Sequence, residues 1–289
     1  MNFEFQQHIE NTINNQFKSN LKFNWNSIGG GSINKTYKIS TRNKSYFVKT
    51  NTTKVFKNGF KEEVLGLRFM GSQSTLIPEI KCEGTHNQSI YLVLEWVETG
   101  SQTLSFWKNF AYQLTALHKN KGNLFGLQYN NFMGQLSQKN TFSNSFSDFF
   151  VENRLIPQIK LAFGSGLLQT KHIYQFEKLY KELANIFPIE KPCKIHGDLW
   201  SGNFICNSQE KAVLIDPAVY YGHREVDLAM SLLFGGFSQE FYSYYHEIYP
   251  LKKNFLKRKD FYNLYPLLIH LNLFGLSYLK SIEAIISKF

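Results

Sequence analysis

Asp198 and Asn203 lie in the run His196-Gly197-Asp198-Leu199-Trp200-Ser201-Gly202-Asn203, and Asp216 follows the asparagine by thirteen residues in Leu214-Ile215-Asp216-Pro217. A carboxylate beside an attacking hydroxyl, with oxygen ligands for Mg2+ on a triphosphate, is what phosphoryl transfer from ATP requires. Asp198 suits the first role, and Asn203 and Asp216 the second. A polar turn before an ordinary strand pair is the alternative. Eight patterned residues plus a second aspartate count against it. Residues 204–206, a polar stretch over 207–211 and an apolar one over 212–215 predict a hairpin. Such a hairpin folds Asp216 back beside Asn203.

These side chains need a nucleotide cradle opposite them. Gly29-Gly30-Gly31-Ser32 separates two short strand-like segments, 21–28 and 36–40. Glycines there let backbone N–H groups approach phosphate oxygens with no Cβ in the way. A Walker loop is excluded, because Asn34 replaces its second glycine and a strand, not a helix, follows. A plain hairpin turn is the competing reading. The strand that comes next favours a cradle.

That strand is Ser45-Tyr46-Phe47-Val48-Lys49-Thr50-Asn51, whose period of two puts Phe47 and Lys49 on one face. Phe47 would border the adenine and Lys49 would reach the phosphates. Residues 57–71 carry an apolar stripe at helical spacing, Phe60, Val64, Leu67 and Met70. Glu63 falls within that stripe, where a buried carboxylate needs a cation such as Lys49. Glu62 points away and reads as surface charge. Downstream, Ile90-Tyr91-Leu92-Val93-Leu94-Glu95-Trp96-Val97 reads either as a plain core strand or as a connector. In the second case backbone groups at Glu95 and Val97 would meet the adenine edge.

Composition sets the outer bounds. The chain has 289 residues, enough for two lobes sharing a sizeable core. No apolar run is long enough to span a membrane, and the first residues lack a signal-peptide pattern. Cys82, Cys193 and Cys206 follow no metal-ligand spacing, which points to a reducing, cytoplasmic setting. A net charge of +10 raises the question of nucleic acid. The lysines are dispersed, however, and frequent Lys, Asn, Ile and Phe fit an A/T-rich coding bias, so no nucleic-acid or membrane partner is expected.

Ten residues separate Asp216 from Asp227, leaving no room for the activation loop of a protein kinase. His196-Gly197-Asp198 also lacks the arginine that would receive an activating phosphate. Both features favour a small-molecule kinase that is permanently competent. Asp227 opens a helix and reads as its N-cap or as a brace for the catalytic loop.

The chain resembles the fructosamine kinase (ketosamine-3-kinase) family, relatives of aminoglycoside and choline kinases. The likeness runs through Gly29-Gly30-Gly31-Ser32-Ile33-Asn34, Phe47-Val48-Lys49, Leu92-Val93-Leu94-Glu95, Phe149-Phe150 and Arg154-Leu155-Ile156-Pro157-Gln158. It continues in the catalytic run, Asp216-Pro217-Ala218, Tyr220-Tyr221-Gly222-His223-Arg224-Glu225 and Phe234-Gly235-Gly236-Phe237. The resemblance implies ATP-dependent phosphorylation of the sugar 3-hydroxyl of ketosamines, after which the adduct breaks down and frees the amine. It places Trp200 beside the sugar and maps a second sugar contact to His270. Leu271 and Leu273 stand where relatives often carry Trp and His, Asn131 replaces a common aspartate, and Ser32 replaces a cysteine that some relatives use in dimerisation. Tyr220 and Tyr221 are further candidates near the substrate.

The expected fold is α+β and two-lobed, protein-kinase-like. A small β-rich lobe spans residues 1–97 and a larger, mainly helical lobe residues 98–289. ATP and Mg2+ lie between them. The expected partner is a small ketosamine or a glycated amine or protein, with the chain a monomer or a dimer. The rival readings are an aminoglycoside- or choline-type kinase and a catalytically dead binding module.

Overall fold

The computed structural model describes residues 2–29 and 33–289, so Gly30, Gly31 and Ser32 of the expected cradle lie outside the described residues. Five strands form one antiparallel sheet: β1 (Asn24–Ile28), β2 (Lys35–Ser40), β3 (Ser45–Thr52), β4 (Ile80–His86) and β5 (Ser89–Glu95), in the order β1-β2-β3-β5-β4. Alternate residues of β5 serve two cores. Tyr91 and Val93, with Ile39, Tyr46 and Val48, pack beneath Phe5, Ile9 and Ile13 of helix α1 (Phe3–Gln16). Ile90, Leu92 and Leu94 face the opposite way, toward Val64, Leu67 and Met70 of helix α2 (Lys61–Met70). A strand buried on both faces needs a continuous apolar run, which is why its sequence shows no alternation.

Helix α2 begins four residues later than the apolar stripe predicts. Gly59 adopts φ 70, a left-handed conformation that ends any helix arriving from its N-terminal side. The Lys57–Phe60 stretch is therefore turn.

From residue 104 onward the chain is mainly helical: α3 (Leu104–Lys119), α4 (Phe146–Phe150), α5 (Ile156–Gly164), α6 (Thr170–Ile186), α7 (Glu225–Leu233), α8 (Gln239–Ile248), α9 (Phe255–Phe274) and α10 (Leu279–Ile286). The middle of helix α9, Phe261 to Ile269, is buried on every face, so its sequence there is apolar nearly all round. The one buried cation of the helix, Arg258, grips Glu225 of α7 at 2.6 and 2.5 Å. Three short ladders carry the functional loops: β6 (Asn131–Met133) with β7 (Leu136–Gln138), β8 (Cys193–Ile195) with β11 (Tyr220–Gly222), and β9 (Phe204–Cys206) with β10 (Ala212–Leu214). The β9–β10 pair is the hairpin expected after Asn203. Phe204 anchors it, its ring 4.9 Å from Phe110 of α3 and 5.2 Å from Phe237. No helix among the described residues is long and apolar enough to cross a membrane.

Candidate active site

The catalytic run lies between β8 and β9 and is held from behind. Asp227 of α7 accepts hydrogen bonds from the backbone N–H of His196 and of Gly197, both at 2.8 Å, and from His118 Nε2 at 3.1 Å. A fully buried carboxylate with three donors is a strong clamp. The capping role is a correction: α7 starts at Glu225, Arg224 occupies the cap position, and Asp227 braces the loop instead. His196 adds a second tie. It donates from Nε2 to the Ile215 carbonyl at 2.9 Å and accepts at Nδ1 from the Asp198 N–H at 3.2 Å. Burial pushes its pKa down, which suits a neutral ring doing both. Gly197 is required here, since it sits at φ 83 and a Cβ would stand 2.1 Å from the Ala218 carbonyl oxygen.

Asp198 projects from this loop into a cavity of about 740 Å³, and Asn203 Nδ2 donates to its Oδ2 at 3.0 Å. Burial, with Asp216 and Asp227 nearby, raises the Asp198 carboxyl to about 7 against the opposing pull of that hydrogen bond. The backbone N–H of Ile215 bonds to the Asn203 carbonyl at 3.1 Å, so the hairpin returns Asp216 to Asn203 as its spacing predicts.

Across the cavity, Lys49 of β3 is buried and forms ion pairs with Glu63, at 2.8 Å, and with Asp216. The two anions hold its pKa above the ordinary value although burial alone would lower it. Burial, with Asp216 on the far side of the lysine, pushes Glu63 up to about 7. Glu62 departs from expectation. It is half-buried, lines the cavity, and accepts from Asn58 Nδ2 at 2.7 Å. The late start of α2 folds the turn around Asn58 back over it.

Ile28, Gly29, Phe47, Leu94, Glu95, Trp96 and Val97 border the same cavity, with Ile205 and Ile215 below them. Among the described residues neither the N–H nor the carbonyl of Val97 bonds to another group of the protein. Both are free for a planar ligand edge. The opposite end is aromatic: Trp200, Phe234, His270, Phe274 and Tyr278. The His270 ring lies 4.9 Å from Phe234 and 5.0 Å from Tyr278. Its Nδ1–H donates to the Pro266 carbonyl at 2.7 Å, which leaves Nε2 as an acceptor. Leu273 also lines this end, while Leu271 is fully buried in the core. Tyr220 and Tyr221 do not reach the cavity: Tyr220 is buried, and Tyr221 packs on Phe69 at 5.2 Å. Phe274 and Tyr278 have no sequence signal, and Phe234 stands only within a family motif, because aromatic residues abound in this chain and only the fold selects among them.

The donor set suits Mg2+. Asp216 offers a carboxylate, and Asn203, whose Nδ2 is committed to Asp198, offers a free side-chain oxygen. Mg2+ is commonly held by one or two protein ligands plus substrate phosphates rather than by an all-protein cage.

The model of the family "Fructosamine kinase" matches residues 3–289. This chain belongs to the fructosamine kinase family. A "Probable ketoamine kinase" of Enterococcus faecium is 37% identical over 275 residues, 94% of this chain and 98% of that protein. The chloroplastic protein-ribulosamine 3-kinase of Arabidopsis thaliana is 34% identical, over 91% of this chain and 81% of its own length. Among solved structures, a Haemophilus somnus protein provisionally assigned as a fructosamine-3-kinase aligns with a TM-score of 0.86 at 27% identity, covering 97% of this chain and 96% of that one. A thermostable mutant of the aminoglycoside phosphotransferase APH(4)-Ia, in a ternary complex with ADP and hygromycin B, has a TM-score of 0.65 at 13% identity, over 96% of this chain and 98% of that one. At that identity the likeness shows the kinase-like fold that this member of the fructosamine kinase family shares.

Proposed function

We propose that this protein is an ATP-dependent kinase of ketosamines, acting on the sugar 3-hydroxyl of small fructosamines or ribulosamines or of glycated proteins. The observation that carries the reading is the convergence of Lys49, Asp198, Asn203 and Asp216 on one cavity with an aromatic far end. Family membership supports the substrate class. Residues 1–97 form the nucleotide-side lobe and residues 98–289 the catalytic lobe. The Val97 backbone and the Glu95 carbonyl face the adenine edge, Phe47 and Ile215 flank the ring, and Lys49 with the glycine run takes the phosphates. Bound Mg2+ supplies charge neutralisation on those phosphates, with Asp216 and Asn203 as its protein ligands. Lys49 is already paired with Glu63 and Asp216, so the nucleotide exchanges partners in a charged site rather than opening a dry one.

Asp198 orients the acceptor hydroxyl and takes its proton. A carboxyl poised at about 7 suits that task near neutral pH. The Asn203 amide keeps its Oδ2 in place. Trp200 and Phe234 present flat apolar surface to the sugar ring, and Nε2 of His270 accepts from a sugar hydroxyl. ATP consumption should be measured across fructosyl- and ribulosyl-lysine, free fructose and ribulose, kanamycin and choline. The ketosamines should be the fast acceptors, and Trp200→Ala should raise their KM or lower kcat without altering ATP affinity. Robust turnover of kanamycin or choline with none on ketosamines would replace the substrate assignment.

A further inference from the structure

We infer that the β6–β7 hairpin is a fixed brace for Asp216, with Gln138 and Asn131 as positioning residues that hold the segment following it; this rests on the reading of Asp216 as the metal-side aspartate. Asp216 sits at φ 52, a left-handed conformation that a non-glycine residue adopts only at some cost. It is followed by Pro217, and between β10 and β11 no ladder holds the chain. Something else must hold the turn. Gln138 Nε2 donates to the Ala218 carbonyl at 2.9 Å, and Asn131 Nδ2 donates to the Val219 carbonyl at 2.9 Å. On its other side Ala218 donates its N–H to the His196 carbonyl at 2.9 Å. The segment is thus gripped between the catalytic loop and the hairpin.

The two amides cannot flip, because a donor-only guanidinium at one end and acceptor-only oxygens at the other fix them in sequence. Arg154, buried in the wide π turn Val151–Leu155, can only donate, and its NH2 group reaches Asn140 Oδ1 at 2.7 Å. Asn140 must then present Nδ2, which donates to Asn131 Oδ1 at 2.8 Å. Asn131 in turn has only Nδ2 left for Val219. The Ala218 carbonyl and Asn131 Oδ1 can only accept, so Gln138 must turn Nε2 toward both, at 2.9 and 2.8 Å, and its Oε1 accepts from the Tyr265 hydroxyl at 3.0 Å. The guanidinium carbon of Arg154 lies 4.0 Å from the Tyr220 ring centre, which fixes the start of the chain. The tip of the same hairpin contributes Phe132, Met133 and Gly134 to the cavity wall. One element therefore lines the acceptor side and fixes Asp216, a task that a protein kinase gives to its activation segment.

The test is calorimetric binding of ADP with and without Mg2+. Wild type should bind more tightly with the metal, and Asp216→Ala should lose that gain. Gln138→Leu should reduce the gain about tenfold, the equivalent of one lost buried hydrogen bond, while metal-free ADP affinity stays put. Tyr265→Phe frees the Gln138 amide without touching the turn and should reduce the gain about threefold, less than a full hydrogen bond. Full retention of the gain in Gln138→Leu, or in Tyr265→Phe should Gln138→Leu not fold, overturns the brace while leaving the role of Asp216 standing. A wild type with no metal-dependent gain, or an Asp216→Ala variant that keeps it, overturns both.

Discussion

The two sides of the cavity are built in different ways. On the helical side every reacting group is held by buried polar ties: Asp227 on the backbone of the catalytic loop, His196 between Asp198 and Ile215, and two oriented amides on Ala218 and Val219. On the sheet side Lys49 with Glu63 forms the one buried ion pair, and the nucleotide end is largely backbone and apolar wall, with Glu62 and Glu95 at its border. A nucleotide has a flat ring and a flexible phosphate tail, which such a wall can accept with small adjustments. An acceptor hydroxyl must meet Asp198 at a fixed angle, so its side is fixed in advance. Substitutions on the helical side should therefore cost more than those on the sheet side.

The largest effect is expected at Asp198. Asp198→Asn should lower kcat at least about a hundredfold, the usual contribution of a general base, with nucleotide affinity nearly intact. In the wild type, kcat/KM should rise with pH through about 7 as the carboxyl ionises. The same raised pKa makes a stability prediction. Folding favours the protonated form, so stability declines as pH rises from the ordinary carboxylate range to about 7 and is flat above it. Asp198→Asn should accordingly melt at a higher temperature than wild type at pH 8, with the advantage gone near pH 4. A variant that keeps more than about a tenth of the wild-type rate contradicts the general-base role.

Asp227→Ala comes next. It strips three donors of their shared buried acceptor and should destabilise the protein by about 3 kcal/mol, read from chemical denaturation. It should also lower kcat more than KM changes, because the loop bearing Asp198 loosens while the nucleotide wall does not. The smallest effects belong to α2. Glu63→Ala should reduce kcat/KM about tenfold by releasing Lys49 toward Asp216, as loss of one charge-assisted contact would. Glu62→Ala should cost less than about 1 kcal/mol of stability, its one hydrogen bond being to Asn58. Equal kinetic losses from the two glutamates would erase the distinction between them.

What could be read from the chain follows the same division. The catalytic run and Asp216 are near neighbours in sequence, tied by a five-residue turn, so their spacing is almost their geometry. The pairing of Lys49 with Glu63 was legible because strand and helix periodicities each fix a face. Glu62 departs from the surface reading because a helical wheel does not show the turn at Asn58, which lies outside the helix and folds back over it. Asp227 was legible as a brace but not as a displaced cap, since one turn of helix decides the matter. The amide chain from Arg154 to Val219 was marked only at Arg154 and Asn131, and nothing in the sequence joined those two to each other or to Asn140 and Gln138. Its members come from four separate segments, which only the fold brings together. Helix α9 hid its cavity face for a different reason: its middle is buried on every side, so no stripe singles out His270 or Leu273.

The central claim is that this cavity transfers phosphate from ATP to a ketosamine. Phosphorus NMR of a reaction with Mg-ATP and fructosyl-lysine, followed over hours, tests it directly. A new phosphomonoester coupled to the proton on sugar carbon 3 should appear and then decline as free lysine is released. ATP left intact, or phosphate found on kanamycin or choline while fructosyl-lysine stays unmodified, would contradict it.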